Sequence, residues 1–125
     1  MAARLSELVL NCHDPELLAT FWCQVLGYRV LDRDGEDVEI GPEAGFGGAA
    51  PTIILARSDA AKQGPLRLHL DVNPVGCDQQ AELERLLALG AVPAQVGQSG
   101  EESWQVLADP EGNEFCLLQG QLPES

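Results

Sequence analysis

The chain has 125 residues, 45% of them hydrophobic, with 7 basic residues against 20 acidic ones and a formal net charge of −13. An ordinary apolar share over this length supports one folded domain, 1–125, and argues against charge-driven disorder. The acidic balance, with no Lys or Arg cluster, removes the electrostatic term on which nucleic-acid affinity rests and disfavours anionic membranes, so neither is expected as a partner.

Met1-Ala2-Ala3-Arg4 leads straight into a strand-like pattern, and no apolar run approaches the roughly 18 to 20 residues that span a bilayer. A cytoplasmic protein is expected. Ser6 to Cys12 is aliphatic and too short for a helix. It ends at His13-Asp14-Pro15-Glu16, a helix start in which Asp14 can cap, Pro15 suits the first turn and Glu16 complements the dipole. Leu17, Leu18, Phe21, Trp22, Val25 and Leu26 then recur at helical spacing up to Gly27, which predicts an amphipathic helix over 15–26. Strands are expected over 28–32 and 36–40, joined by an Asp34-Gly35 hairpin. Gly41 to Gly48 lacks the lysine of a phosphate-binding loop and reads as a mobile hairpin connection, followed by a strand over 51–56.

The second half repeats the plan. A strand is expected over 66–72, a turn at Asn73-Pro74, a helix over 78–89 with Leu83, Leu86 and Leu87 on one side, and a stop at Gly90. Setting Leu8 to Cys12 over Leu68 to Val72 also brings Leu26-Gly27 close to Leu89-Gly90, and each half reads βαβββ. The last strands, 103–108 and 113–118, are joined by the turn Asp109-Pro110-Glu111-Gly112. Cys12, Cys23, Cys77 and Cys116 lack CxxC spacing and read as small buried hydrophobes.

Several of these features together resemble one family. They are the opening strand ending at Asp14-Pro15, the helix closing with Phe21-Trp22 and Leu26-Gly27, the strand Leu68-His69-Leu70-Asp71-Val72, and the run Trp104 to Phe115 around Asp109-Pro110-Glu111-Gly112-Asn113. The chain resembles the vicinal oxygen chelate superfamily, and within it the glyoxalase-like or bleomycin-resistance branch, over about residues 5 to 119. The resemblance implies an α+β fold of two βαβββ modules, about 5–57 and 65–119, whose mixed sheets curl into a cup. It also implies a homodimer, with the open sheet edges as a further reason to pair.

Metal-using members carry ligands at positions that fall here on Glu7, about Ile54, Arg67 and Cys116. Ile54 has no donor and Arg67 is a permanent cation, so no metal and no other cofactor is expected. His69 shares a sheet face with Arg67; with Glu7 and a Cys116 thiolate it makes the mixed ligand set of a metal alternative. Glu7 and Arg67 are superposed by the repeat and are expected to pair, either as a ligand-orienting couple or as a structural ion pair. Trp104 and Val106 share the strand face that lines the cup in the family, and Trp104 reads either as core or as a stacking platform.

The function these residues imply is the binding of a small organic molecule in a metal-free cup lined by Glu7, Arg67, His69, Trp104, Val106 and Cys116, as in a sequestering or resistance-type protein. One alternative is a lyase, isomerase or dioxygenase relative, for which Glu7, His69 and Cys116 are the candidate bases. Another is a non-catalytic interaction module.

Overall fold

The computed structural model describes residues 1–95 and 97–124. Contacts divide the chain into two units, one of Met1–Ala61 and one beginning at Lys62.

In the first unit, β1 (Glu7–Cys12) leads into α1 (Pro15–Leu26). The Asp14 carboxylate accepts the Leu17 amide at 3.1 Å, and Gly27, at φ 68°, returns its own amide to the Cys23 carbonyl. This left-handed conformation is open to glycine at little cost, so the helix stops there. Three strands follow, β2 (Arg29–Asp34), β3 (Asp37–Gly41) and β4 (Thr52–Arg57). The sheet order is β1-β4-β3-β2, with β1 parallel to β4 and the other pairs antiparallel. Helix α1 packs on β3 and β4. Its buried Leu18, Phe21, Trp22 and Val25 meet the face carrying Cys12, Val38, Ile40, Ile53 and Leu55. Each such side chain contributes roughly 1.5–3 kcal/mol of burial. Leu17, assigned to this stripe from its spacing, points outward instead.

The second unit contains β5 (Leu70–Val72), α2 (Gln79–Leu89), β6 (Val92–Pro93), β7 (Gln105–Ala108) and β8 (Glu114–Leu117). Its sheet order, β5-β8-β7-β6 with β5 parallel to β8, repeats that of the first. The described residues thus form two four-stranded mixed sheets and two helices, the α+β plan of paired βαβββ modules. On α2 the buried stripe is Glu82 and Leu86, whereas Leu83 is half-buried and Leu87 exposed. Glu82 tolerates burial because its carboxylate takes two bonds of 2.7 Å from the Arg85 guanidinium.

The turn between β7 and β8 is built around Asp109. Its carboxylate accepts the amides of Glu111 and Asn113 at 2.9 and 3.0 Å and the Asn113 side-chain amide at 3.0 Å, while Gly112 supplies φ 86°. Both Asp109 and Asn113 are buried. Two of the cysteines, Cys12 and Cys116, are buried as expected, whereas Cys23 and Cys77 are half-buried. No helix among the described residues is long and apolar enough to cross a membrane.

Candidate functional site

The expected strand over 66–72 is found only over Leu70–Val72, and the segment ahead of it is held by a side chain 48 residues downstream. The Glu114 carboxylate accepts the Leu66 amide at 2.9 Å and the Lys62 ammonium at 2.7 Å. Pro65, lacking an N–H, could not have joined a ladder from that position. Residues 62–69 therefore approach β5 as a strapped loop, with Arg67 exposed in a bend.

This changes which residues correspond between the two halves. In the first sheet Glu7 pairs with Thr52, two residues before Ile54. In the second, Asp71 pairs with Cys116, and the register continued back from Leu70↔Phe115 sets His69 alongside Glu114, two residues before Cys116. His69, rather than Arg67, is the ladder counterpart of Glu7. The expected pairing of Glu7 with Arg67 rested on the other superposition and loses that basis. The short strand carries too few residues for its hydrophobic pattern to fix a register, so the repeat alone could not place it. The His69 Nε2 atom is buried and has no hydrogen-bond partner among the described residues.

Asp71, Cys116 and Val106 follow one another across β5, β8 and β7 on the same face as His69. Burial and then the Asp71 carboxylate, which the thiol also hydrogen-bonds, push Cys116 above the ordinary thiol range. A raised pKa makes its sulfur a poorer nucleophile near neutral pH.

Beyond Val106 this face opens into a cavity of about 270 Å³ under the connection from β6 to β7. Gln95, Gln98, Ser99, Glu102, Trp104 and Val106 are among its lining residues. Trp104 is 42% exposed and precedes β7, so it is a wall of the cavity and not part of the core. The connection is closed at both ends. The Ala94 amide reaches the Val106 carbonyl at 3.0 Å, and Gln79 Nε2 donates to the Ser103 and Leu117 carbonyls at 2.8 and 3.2 Å. Within it, the Glu102 carboxylate accepts the Ser99 and Gly100 amides at 2.6 and 2.9 Å and the Ser99 hydroxyl at 3.0 Å. The Ser99 and Glu102 amides hold this carboxyl below its ordinary value more than desolvation raises it. Sequence reasoning missed Gln79, Gln95, Gln98 and Glu102. The Ser-Gly pair ahead of an acid was the one local signal, since it marks a side-chain-capped turn.

The first sheet's helix-free face is of a different character. Asp32, Asp34, Asp37 and Glu39 surround Ile54 in a smaller cavity of about 170 Å³, and Glu7 lies half-buried at the start of β1 on that face.

The profile of the glyoxalase-like domain matches residues 7–118. The chain belongs to this glyoxalase-like family, part of the vicinal oxygen chelate superfamily. A comparison with curated proteins finds no match. Among solved structures, the fosfomycin resistance protein FosX of Listeria monocytogenes superposes with a TM-score of 0.70 at 19% identity, covering 98% of this chain and 97% of that one. FosX of Mesorhizobium loti gives 0.68 at 14% identity over 98% and 96%. A glyoxalase/bleomycin resistance protein/dioxygenase family enzyme of Burkholderia phytofirmans gives 0.66 at 18% identity over 92% and 97%. At these identities the likeness is one of fold.

The Listeria FosX has been crystallised with Mn(II), and the glyoxalase-like resemblance places a metal at Glu7, Ile54, Arg67 and Cys116. The residues of this chain do not fit it. Ile54 offers no donor, Arg67 is an exposed guanidinium, and Cys116 ligates only as a thiolate, the form that burial and Asp71 disfavour. Putting His69 in place of Arg67 adds one imidazole without repairing the other positions. Among the described residues no group of three or more His, Cys, Asp or Glu side chains could hold a metal ion.

Of the six residues assigned from the sequence, Trp104 and Val106 line the cavity under the β6–β7 connection. Cys116 and His69 lie on the same sheet face, on β8 and just before β5. Arg67 stands in the loop ahead of them, and Glu7 belongs to the first unit.

Proposed function

We propose that this glyoxalase-like domain binds a small organic molecule without a metal ion, as a sequestering or resistance-type protein. The observation that carries the reading is the cavity beside Trp104, whose indole is left accessible in a domain that buries its other tryptophan, Trp22, to 2%. An aromatic wall over an aliphatic floor at Val106 offers stacking and burial to a ring. His69, whose buried Nε2 has no hydrogen-bond partner among the described residues, stands just before β5 and does not line the cavity. Arg67, exposed in the strapped loop, and Glu7, in the first unit, are not among the described residues that line this cavity.

We further propose that the protein acts in the cytoplasm, which suits four unbridged cysteines, and as a homodimer. With a formal charge of −13 on each copy, the interface should use neutral and apolar segments. The unpartnered His69 Nε2 also favours a second reading, a lyase or isomerase in which this nitrogen takes a substrate proton.

A thermal-shift screen of chemically diverse small molecules, run on the wild type and on Trp104→Ala in parallel, tests the main reading. Compounds that raise the midpoint of the wild type and not of the variant support it. Stabilisation indifferent to Trp104, or none at all, counts against it. Turnover of a hit that is lost in His69→Ala would favour the enzyme.

A further inference from the structure

We infer that the cavity beside Trp104 takes a planar ring bearing a neutral donor–acceptor edge such as a carboxamide, and that it rejects anions. The inference rests on the proposed binding function and adds the chemical class of the ligand.

The argument is one of charge and satisfied partners. None of the described lining residues is Lys, Arg or His. An anion entering the cavity would give up water for a site with no counter-charge, in a protein whose formal charge is −13. A cation meets one charge of opposite sign, the Glu102 carboxylate, but that group already accepts the two amides and the hydroxyl of its own turn, so a large preference over a neutral ring is not expected. Apart from Glu102, the Ser99 hydroxyl and the Trp104 indole N–H, the polar side chains of the wall are the neutral amides of Gln95, Gln98 and Gln105. Gln98 spends its Nε2 on the Ala94 carbonyl at 2.7 Å, whereas the exposed side-chain amides of Gln95 and Gln105 are used by none of the described residues of the loop. An amide side chain donates and accepts together, which matches a ligand edge that does the same. A cavity of about 270 Å³ stands just below the range of drug-sized pockets and suits one or two rings.

Three isosteric probes that differ in charge test this: benzamide, benzoate and benzamidinium. Each is titrated into the full ¹⁵N-labelled chain while the two indole N–H resonances are followed, with Trp104→Phe assigning the Trp104 peak. Benzamide should move the Trp104 resonance and leave that of Trp22 in place. Benzoate should bind at least about tenfold more weakly, the cost of an uncompensated charge. Benzamidinium should stay within about tenfold of benzamide, and Gln105→Leu should weaken benzamide. Benzoate binding as well as benzamide, or benzamidinium binding more than about tenfold tighter, would overturn the ligand class while leaving small-molecule binding intact. If none of the three moves the Trp104 resonance but a thermal-shift hit does, the class is again wrong and the binding function stands. If neither the probes nor any screened compound moves it, both fall.

Discussion

Lys62 and Glu114 lie 52 residues apart in the chain and 2.7 Å apart in the fold, and the same carboxylate also holds the Leu66 amide. Through these two bonds a residue of β8 holds the segment ahead of β5.

Burial works to raise the pKa of Glu114, but the Lys62 ammonium and the Leu66 amide outweigh it and hold the carboxyl below its ordinary 4.5. A depressed carboxyl adds stability that is fully present above its unfolded value and is lost as the pH falls through the folded one. The wild type should therefore lose more stability than Glu114→Gln between about pH 6.5 and pH 3.5, read as urea midpoints. Equal acid sensitivity would show that the strap contributes nothing. At neutral pH, Glu114→Ala should cost about 2 kcal/mol, the worth of charge-assisted bonds to a largely buried carboxylate.

Asp109 is buried to 1% and its carboxylate holds the turn that joins β7 to β8. Replacing it with Ala strands the Asn113 side chain and two amides, which should cost about 2–4 kcal/mol in chemical denaturation. A loss below 0.5 kcal/mol, roughly the scatter of surface substitutions, would mean that the turn forms without it.

The two tryptophans should behave in opposite ways. Trp22, packed edge-on against Phe21 with ring centroids 5.2 Å apart, should cost about 3–5 kcal/mol on truncation to Ala. Trp104→Ala should change stability by less than about 1 kcal/mol and abolish ligand binding. Calorimetric unfolding of both variants separates the roles, and a strongly destabilised Trp104→Ala would return Trp104 to the core.

A chelator should leave the unfolding midpoint unchanged, and Mn(II) titrated calorimetrically into the protein should give no saturable heat. Stoichiometric metal copurifying with the protein, and released by His69→Ala or Glu7→Ala, would reinstate the metal-dependent reading.

Helix α1 could be read from its residues because cap, first-turn proline, apolar stripe and stop glycine all lie within one short segment and agree. The Asp109 turn was legible for the same reason, since every donor and acceptor in it falls within five residues of chain. The start of β5 was not legible, because the segment ahead of it is held by the side chain of Glu114, and no local pattern in Leu66 to Val72 reports a partner so far away. The character of Trp104 was hidden too: a tryptophan beside a strand looks the same in sequence whether it faces a core or a cavity. What decides between them is the Gln79 clamp on Ser103, a contact made from the first turn of α2.

That clamp has a consequence for how such a domain can change. With Ala94 tied to Val106 at one end and Ser103 tied to Gln79 at the other, the connection is anchored through backbone atoms of its two end residues, so its anchoring does not depend on the side chains between them. Exchanging the segment between the two ties, at equal or altered length, should leave the sheet standing while resetting what the cavity accepts. Ligand preference and foldability are thereby placed on separate stretches of chain, and a lineage or an engineer could vary one without endangering the other.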